Sequence, residues 1–286
     1  MKLARFSLGK TERFGIVDLE KSVIRPFDVS VQNVVQIIAQ TAELLSAAAK
    51  GEEIPLDQIK LLAPIIPRRN IFCVGKNYRE HAKEFAGSGY EAGAVKGAEI
   101  DEYPAVFSKP PSTVVGNGDA VQLHSHVTHC VDYEAELAIV IGKGGSDIAA
   151  ANAMDHVWGY TIINDVTARD RQRQHKQWFL GKSLDTFCPM GPWVTSADEV
   201  KSDGLDVKCW VNGDLRQDAN TRDLIFPIPA LIATISAGLA LEPGDVIATG
   251  TPAGVGIGFN PPRFLKAGDE VKISITGLGT LTNRFV

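Results

Sequence analysis

The chain has 286 residues, 44% hydrophobic and 22% charged, the balance of an ordinary folded protein with enough length for a sizeable core. A net charge of −5, with no Lys/Arg cluster longer than a few residues, argues against a nucleic-acid or membrane-surface role. No stretch approaches ~18 uninterrupted apolar residues and no long apolar run follows Met1-Lys2-Leu3-Ala4-Arg5-Phe6, so neither a transmembrane helix nor a signal peptide is expected, and the cytoplasm is the expected compartment.

In chain order, residues 2–6 and 14–18 read as two short strands around a turn at Gly9. Asp28 or Ser30 can cap a helix that carries Val34, Val35, Ile37, Ile38, Leu44 and Leu45 at helical spacing and ends at Gly51. Pro55, Pro64 and Pro67 then punctuate an extended connector, so residues 1–68 are expected to form a small N-terminal α+β domain and 69–286 the main one. From Asn70 onward, β-rich runs alternate with Gly/Pro turns, with strands predicted over 71–74, 105–108, 134–141, 158–164, 207–211, 246–249 and 271–275. Helical periods are few, at 78–85, 148–154 and 229–237. This is not the regular alternation of a doubly wound sheet and predicts a mainly β (α+β) body, a sandwich or roll with a few helices. Cys73, Cys130, Cys188 and Cys209 are widely spaced, with no C-x-x-C, and are expected to be free thiols.

Several constellations could carry chemistry. Asp132, Glu134 and Glu136 stand at i, i+2 and i+4 ahead of an apolar run. On a strand they would share one face, where like charges repel and burial raises their pKa values. An all-oxygen cluster of this kind suits a hard cation such as Mg²⁺ or Mn²⁺; the plainer alternative is a solvated strand edge. Asp165 ends an apolar run and is either a third ligand or the N-cap of the segment after it. His81 and Glu84, three apart on a predicted helix, share a face, as a general base and its orienting carboxylate would, or as a surface pair would. Arg169 and Lys182 could bind an anion or form surface ion pairs. The Gly-rich stretch 249–256 permits close backbone approach to a ligand but has neither a Walker A ending nor a dinucleotide-binding pattern. His124, His126 and His129 could in principle hold Zn²⁺, but no Cys or acidic partner stands at zinc-like spacing.

Together these segments resemble the fumarylacetoacetate hydrolase family. The match runs in order through Ile71-Phe72-Cys73-Val74-Gly75-Lys76-Asn77-Tyr78 with His81 and Glu84, then Phe107-Ser108-Lys109-Pro110 and Asp132-Tyr133-Glu134-Ala135-Glu136-Leu137. It continues through Asn164-Asp165-Val166-Thr167-Ala168-Arg169-Asp170, Gly181-Lys182-Ser183, Val211-Asn212-Gly213, Pro243-Gly244-Asp245 and Thr249-Gly250-Thr251-Pro252. The resemblance implies the family's mixed β-sandwich roll, usually a homodimer, with Glu134, Glu136 and Asp165 as Mg²⁺/Mn²⁺ ligands and Asp132 outside the ligand set. It implies His81 and Glu84 as the catalytic pair on a lid, assisted by Lys182. It places Arg169, Gln172, Lys182, Thr251 and Tyr78 at the substrate.

The activity this implies is metal-dependent hydrolysis of a C–C bond in a 2,4-dioxo acid, with His81 activating water and pyruvate released. A 2,4-diketo-3-deoxy sugar acid related to rhamnonate or fuconate is the favoured substrate, with other acylpyruvates open. An alternative uses the same site as an oxaloacetate decarboxylase, or as a hydratase or isomerase of an aromatic-degradation intermediate. A non-enzymatic module with a structural cation is disfavoured, because so many ionisable residues fall in matched segments. Gly87, Gly89, Gly93 and Gly97 predict a mobile loop over 86–103, and the substrate's distal group is expected to depend on it and on loop 255–264.

Overall fold

The computed structural model describes residues 1–27, 34–38, 45, 49, 51–90 and 101–286. Asp28, Ser30 and Leu44 of the predicted N-terminal helix, and Gly93 and Gly97 of the predicted loop, lie outside the described residues. Within them the fold is two facing β-sheets with short helices at the edges.

The larger, twelve-stranded sheet runs in the order Ile54–Pro55, Val23–Pro26, Thr11–Asp18, Lys2–Leu8, Cys188–Ser196, Val157–Asn164, Ala135–Ile141, Val246–Ala248, Ile71–Gly75 and Ala105–Lys109, with two short strands paired off this path. The N-terminal strands therefore continue the main sheet through the pairing of Lys2–Leu8 with Cys188–Ser196. The smaller sheet orders Asp214–Asn220, Asp206–Val211, Glu270–Ile275, Gly279–Phe285 and Ala120–Val121. A separate ribbon pairs Val131–Asp132 with Thr167–Ala168.

The central strand Ala135–Ile141 is buried along its whole length, as its apolar run requires. Strand alternation splits its side chains between two cores. Leu137, Ile139 and Ile141 face the smaller sheet and pack with Val207, Ile273 and Leu281, while Ala138 and Val140 face the opposite core with Leu3, Ile71 and Met190. Glu136 has the parity of Ala138 and so emerges on the second face. Burying apolar surface contributes about 25 cal/mol per Å², so these two cores hold that strand's register firmly.

The structure differs from the sequence reading in four places. The acidic run is not one strand: Val131–Asp132 pairs with Thr167–Ala168, the main-sheet strand begins at Ala135, and Glu134 lies at the bend between them. The helix predicted over 148–154 is a 3₁₀ segment, Ala150–His156, with no capping side chain at Ala149 and with Val157 N–H closing onto the Met154 carbonyl. Cys188–Ser196, a fully buried strand, escapes the sequence pattern because Pro189 and Pro192 argue against a central strand. Its ladder with Val157–Asn164 shifts register between Tyr160 and Ile162, in the interval that contains Pro192. The helix Arg79–Gly87 also runs two residues further than predicted. No helix among the described residues is long and apolar enough to cross a membrane.

Candidate active site

Glu134, Glu136 and Asp165 converge although they come from three places: the bend, the central strand, and the residue after the strand Val157–Asn164. One ligand atom from each lies within 4.8 Å of the others, and all three side chains are buried. The convergence follows from register. Ala135 pairs with Asn164, so their neighbours Glu134 and Asp165 meet at the same end of the two strands, and Asp165 N–H donates to the Glu134 carbonyl at 2.8 Å. Asn164 Oδ1 accepts from Glu134 N–H at 3.0 Å and secures the bend. The cap reading of Asp165 does not hold: the next helix is Arg169–His175, with Ala168 at its N-cap and no side-chain cap.

Cations surround two of the three carboxylates. Lys182 Nζ lies 2.7 Å from Glu134 Oε2 and 2.7 Å from Asp165 Oδ2. Lys109 Nζ lies 2.6 Å from Asp165 Oδ1, and Arg169 Nη2 lies 2.7 Å from Glu134 Oε1. Burial opposes ionisation of Glu134, but Lys182 and Arg169 together outweigh it and hold the carboxyl down at about 2. Burial likewise opposes the charges of Lys182 and Arg169, and their carboxylate partners outweigh it, so both are held above their ordinary values.

Glu136 is the exception. It accepts one hydrogen bond, from Gly250 N–H at 2.9 Å, and no ion pair reaches it among the described residues. Burial, then repulsion from Asp165 and Glu134, push its carboxyl well above the usual range. A buried carboxylate beside two others and without a cation of its own is the donor set a hard divalent ion completes, so these residues fit such an ion. With a divalent ion bound and all four carboxylates (Asp132, Glu134, Glu136, Asp165) ionised against three cations (Lys109, Arg169, Lys182), the cluster would carry one positive charge, suited to an anionic substrate.

Asp132 is separate from the triad. It pairs with Arg169 Nε at 2.9 Å and accepts from Gly256 N–H at 2.6 Å and Ile257 N–H at 3.1 Å. It thereby ties the arginine to the loop 254–258. Arg169 Nη1 in turn donates to Gln172 Oε1 at 3.2 Å, one turn along the short helix whose buried face these two residues form.

His81 Nδ1 lies 3.0 Å from Glu84 Oε2, and both side chains are largely buried on the inner face of the helix Arg79–Gly87. Glu84 Oε1 accepts from Gly254 N–H at 3.0 Å. Gly258 makes room for it, since a Cβ there would stand 1.7 Å from Glu84 Oε1. Phe85 seats the helix against Trp178, Val255 and Ile257.

One small cavity is lined among others by His81, Glu134, Glu136, Arg169, Lys182 and Thr251. Gln172 and Lys76 also line it. Thr251 Oγ1 accepts from Gln217 Nε2 at 2.8 Å, and Gln217 also bonds Ala135 N–H, linking the Gly-rich loop to the central strand. Tyr78 is buried, in an isolated bridge with Leu224, and is not among the lining residues. Among the described residues the three histidines do not gather a metal-binding group; His124 Nε2 instead contacts the Asp185 carbonyl at 2.9 Å.

Sequence reasoning assigned no role to Lys109 or Lys76. Lys109 was detectable in principle: strand alternation over Ala105–Lys109 puts it on the face of Phe107, which lines the cavity.

A family model described as fumarylacetoacetate (FAA) hydrolase C-terminal matches residues 70–286, and one described as Rv2993c-like, N-terminal, matches residues 1–64. The chain is 53% identical over 231 residues to the oxaloacetate tautomerase YisK of Bacillus subtilis (strain 168), which covers 80% of this chain and 74% of that protein. Its structure is similar to a fumarylacetoacetate hydrolase from the psychrophile Exiguobacterium antarcticum, with a TM-score of 0.85 and 39% identity, over 100% of this chain and 99% of the other. It is also similar to a maleylpyruvate hydrolase from Sphingobium sp. SYK-6 in complex with manganese(II) and pyruvate, with a TM-score of 0.79 and 35% identity, over 100% and 99% of the two chains.

Proposed function

We propose that this chain, which belongs to the fumarylacetoacetate hydrolase family, is a divalent-metal-dependent enzyme that moves a proton next to the oxo group of a small 2-oxo acid of the oxaloacetate class. The observation that carries the reading is that His81, bonded to Glu84, lines the same cavity as Glu134 and Glu136, two members of an acidic triad short of one cation. The substrate comes from the relative: the 53%-identical protein is an oxaloacetate tautomerase.

Glu134, Glu136 and Asp165 would hold Mg²⁺ or Mn²⁺, which when bound supplies Lewis acidity to the substrate's carboxylate and oxo oxygens and acidifies the neighbouring C–H. The protein's own residues do the rest. Glu84 accepts from Nδ1–H of His81 and so leaves Nε2 free to take a proton from C3. Returning that proton to the oxo oxygen completes the keto-to-enol exchange, and the reverse order runs it backwards. Arg169 and Lys182 place positive charge where negative charge develops on the substrate oxygens. Gln172 and Thr251 offer polar atoms to orient the acid.

A second reading is hydrolysis of an acylpyruvate, such as a 2,4-diketo-3-deoxy sugar acid, with His81 activating water instead. It is supported by the relative that is a maleylpyruvate hydrolase with manganese and pyruvate bound. The test supplies enol-oxaloacetate, keto-oxaloacetate and acetylpyruvate in turn, with Mg²⁺ or Mn²⁺. Loss of enol absorbance faster than in buffer, without stoichiometric pyruvate, is expected. Pyruvate release from acetylpyruvate with no acceleration of tautomer exchange would replace the first reading by the second, and pyruvate from oxaloacetate would indicate decarboxylation.

A further inference from the structure

We propose that Lys76 selects dicarboxylates: its ammonium takes the far carboxylate of a four-carbon 2-oxo acid whose other end lies at Glu134, Glu136 and Asp165. This rests on the reading of the cavity as a 2-oxo acid site. Lys76 follows the strand Ile71–Gly75 and precedes the helix that carries His81. It holds a left-handed backbone, φ +57°, which a side chain other than Gly or Asn adopts at a cost, and it lines the cavity. Its side chain is only 4% exposed.

The other cations of the cavity are committed to the acidic cluster: Lys182 to Glu134 and Asp165, and Arg169 to Asp132 and Glu134. Lys76 is not. Its carboxylate partner is Asp101, 2.9 Å away and 21% exposed, and among the described residues the ammonium has no partner in hydrogen-bond geometry. A buried ammonium paired with one carboxylate that is itself more exposed is a place where one carboxylate can be exchanged for another. Charge points the same way. The acidic cluster with a divalent ion carries one positive charge, and release of Asp101 from Lys76 exposes a second, so the site matches a dianion. Burial makes such a pair stronger than an exposed one.

The test measures binding by calorimetry in saturating Mg²⁺, using racemic malate and racemic 2-hydroxybutanoate. The two share a 2-hydroxy acid head, differ by a carboxylate against a methyl group, and have no oxo group to react. The wild type is expected to prefer malate by at least about tenfold. Lys76→Met keeps the length and the backbone requirement but removes the charge; it is expected to erase this preference and leave 2-hydroxybutanoate binding within about twofold. Lys76→Arg retains the preference, which also controls for misfolding. Asp101→Asn tightens malate alone, because the internal competitor is gone. A wild type without preference, a preference that survives Lys76→Met, or equal weakening of both ligands in Lys76→Met and Asp101→Asn overturns the proposal. Malate selectivity that depends on Lys76 in a protein that does not accelerate oxaloacetate tautomerisation would keep this assignment and remove the reaction.

Discussion

Lys109 and Asp165 form an ion pair with no solvent access on either side: Nζ lies 2.6 Å from Oδ1, and both side chains are fully buried. The same ammonium donates to the carbonyls of Val166, at 3.0 Å, and of Lys182. One lysine thus fixes the Asp165 carboxylate, the backbone that follows it, and the end of the short helix Phe179–Lys182 that delivers the second lysine. Such a pair fixes the orientation of a carboxylate of the acidic triad.

Removing Lys109 should therefore cost stability in a way that an added cation partly repairs. Breaking a buried pair by deleting one partner costs about 3–5 kcal/mol, and Lys182 retains some hold on Asp165, so Lys109→Met is expected near about 3 kcal/mol. Saturating Mn²⁺ should reduce that loss by restoring positive charge beside Asp165. Urea unfolding with Mn²⁺ and with EDTA checks this; an identical loss in both would show that Lys109 does not act through the acidic cluster.

Glu136 should show the opposite sign. Its charge is opposed by burial and by its two acidic neighbours, so Glu136→Gln removes a destabilising charge. The variant is expected to melt at or above the wild type in EDTA, yet to gain nothing from Mg²⁺ or Mn²⁺, whereas the wild type gains several degrees. Thermal melts across a metal titration decide it, and a wild-type-sized metal shift in Glu136→Gln would remove this residue from the ligand set.

His81 and Gly258 test the base and its support separately. His81→Ala should lower kcat by about 10²–10⁴-fold with metal binding intact. Gly258→Ala does not touch the histidine, but its methyl would meet Glu84 at 1.7 Å. It should displace that carboxylate and reproduce part of the loss in kcat, with KM little changed. Steady-state kinetics alongside metal titrations separate these outcomes, and a normal kcat in Gly258→Ala would mean that the Glu84 contact is dispensable.

The thiols make a prediction about pH. Burial pushes Cys188 up to about 12, with Lys109 pulling part of the way back, and burial also raises Cys73 and Cys209. A thiol with a raised folded pKa stabilises the fold fully below its ordinary value near 9 and ceases to do so as pH rises through its folded value. Between pH 7 and 9 the folded protein should expose at most Cys130, which is half-buried, to a thiol reagent, and all four cysteines after unfolding. Rapid labelling of two or more thiols in the folded protein would contradict this burial.

Much of the site was legible because it is local. The i, i+3 spacing of His81 and Glu84 needs only a helix, and the pair does bond on one helical face. Arg169 and Gln172 also share a buried face, but only the family resemblance pointed to Gln172, since the basic run around them reads as a solvated face. Alternation suggested that the acidic run converges, but it treated Asp132, Glu134 and Glu136 alike. The bend at Glu134 breaks that equivalence and sends Asp132 to Arg169 and the loop amides.

The sequence by itself determined a mainly β chain and a helix-borne His–Glu pair, and its family resemblance pointed to three carboxylates as candidate metal ligands. Periodicity and spacing report faces within one element, and motifs report chemistry that few residue types can perform. The tertiary structure alone decided which charges neutralise one another. Lys109 and Asp165 are 56 residues apart and meet only through the registers that bring their strands to one end of the sheet. Their burial, the lack of a cation at Glu136 and the exchangeable partner of Lys76 are properties of desolvation and three-dimensional charge balance. No one-dimensional pattern encodes the distance between two charges or the water excluded from between them.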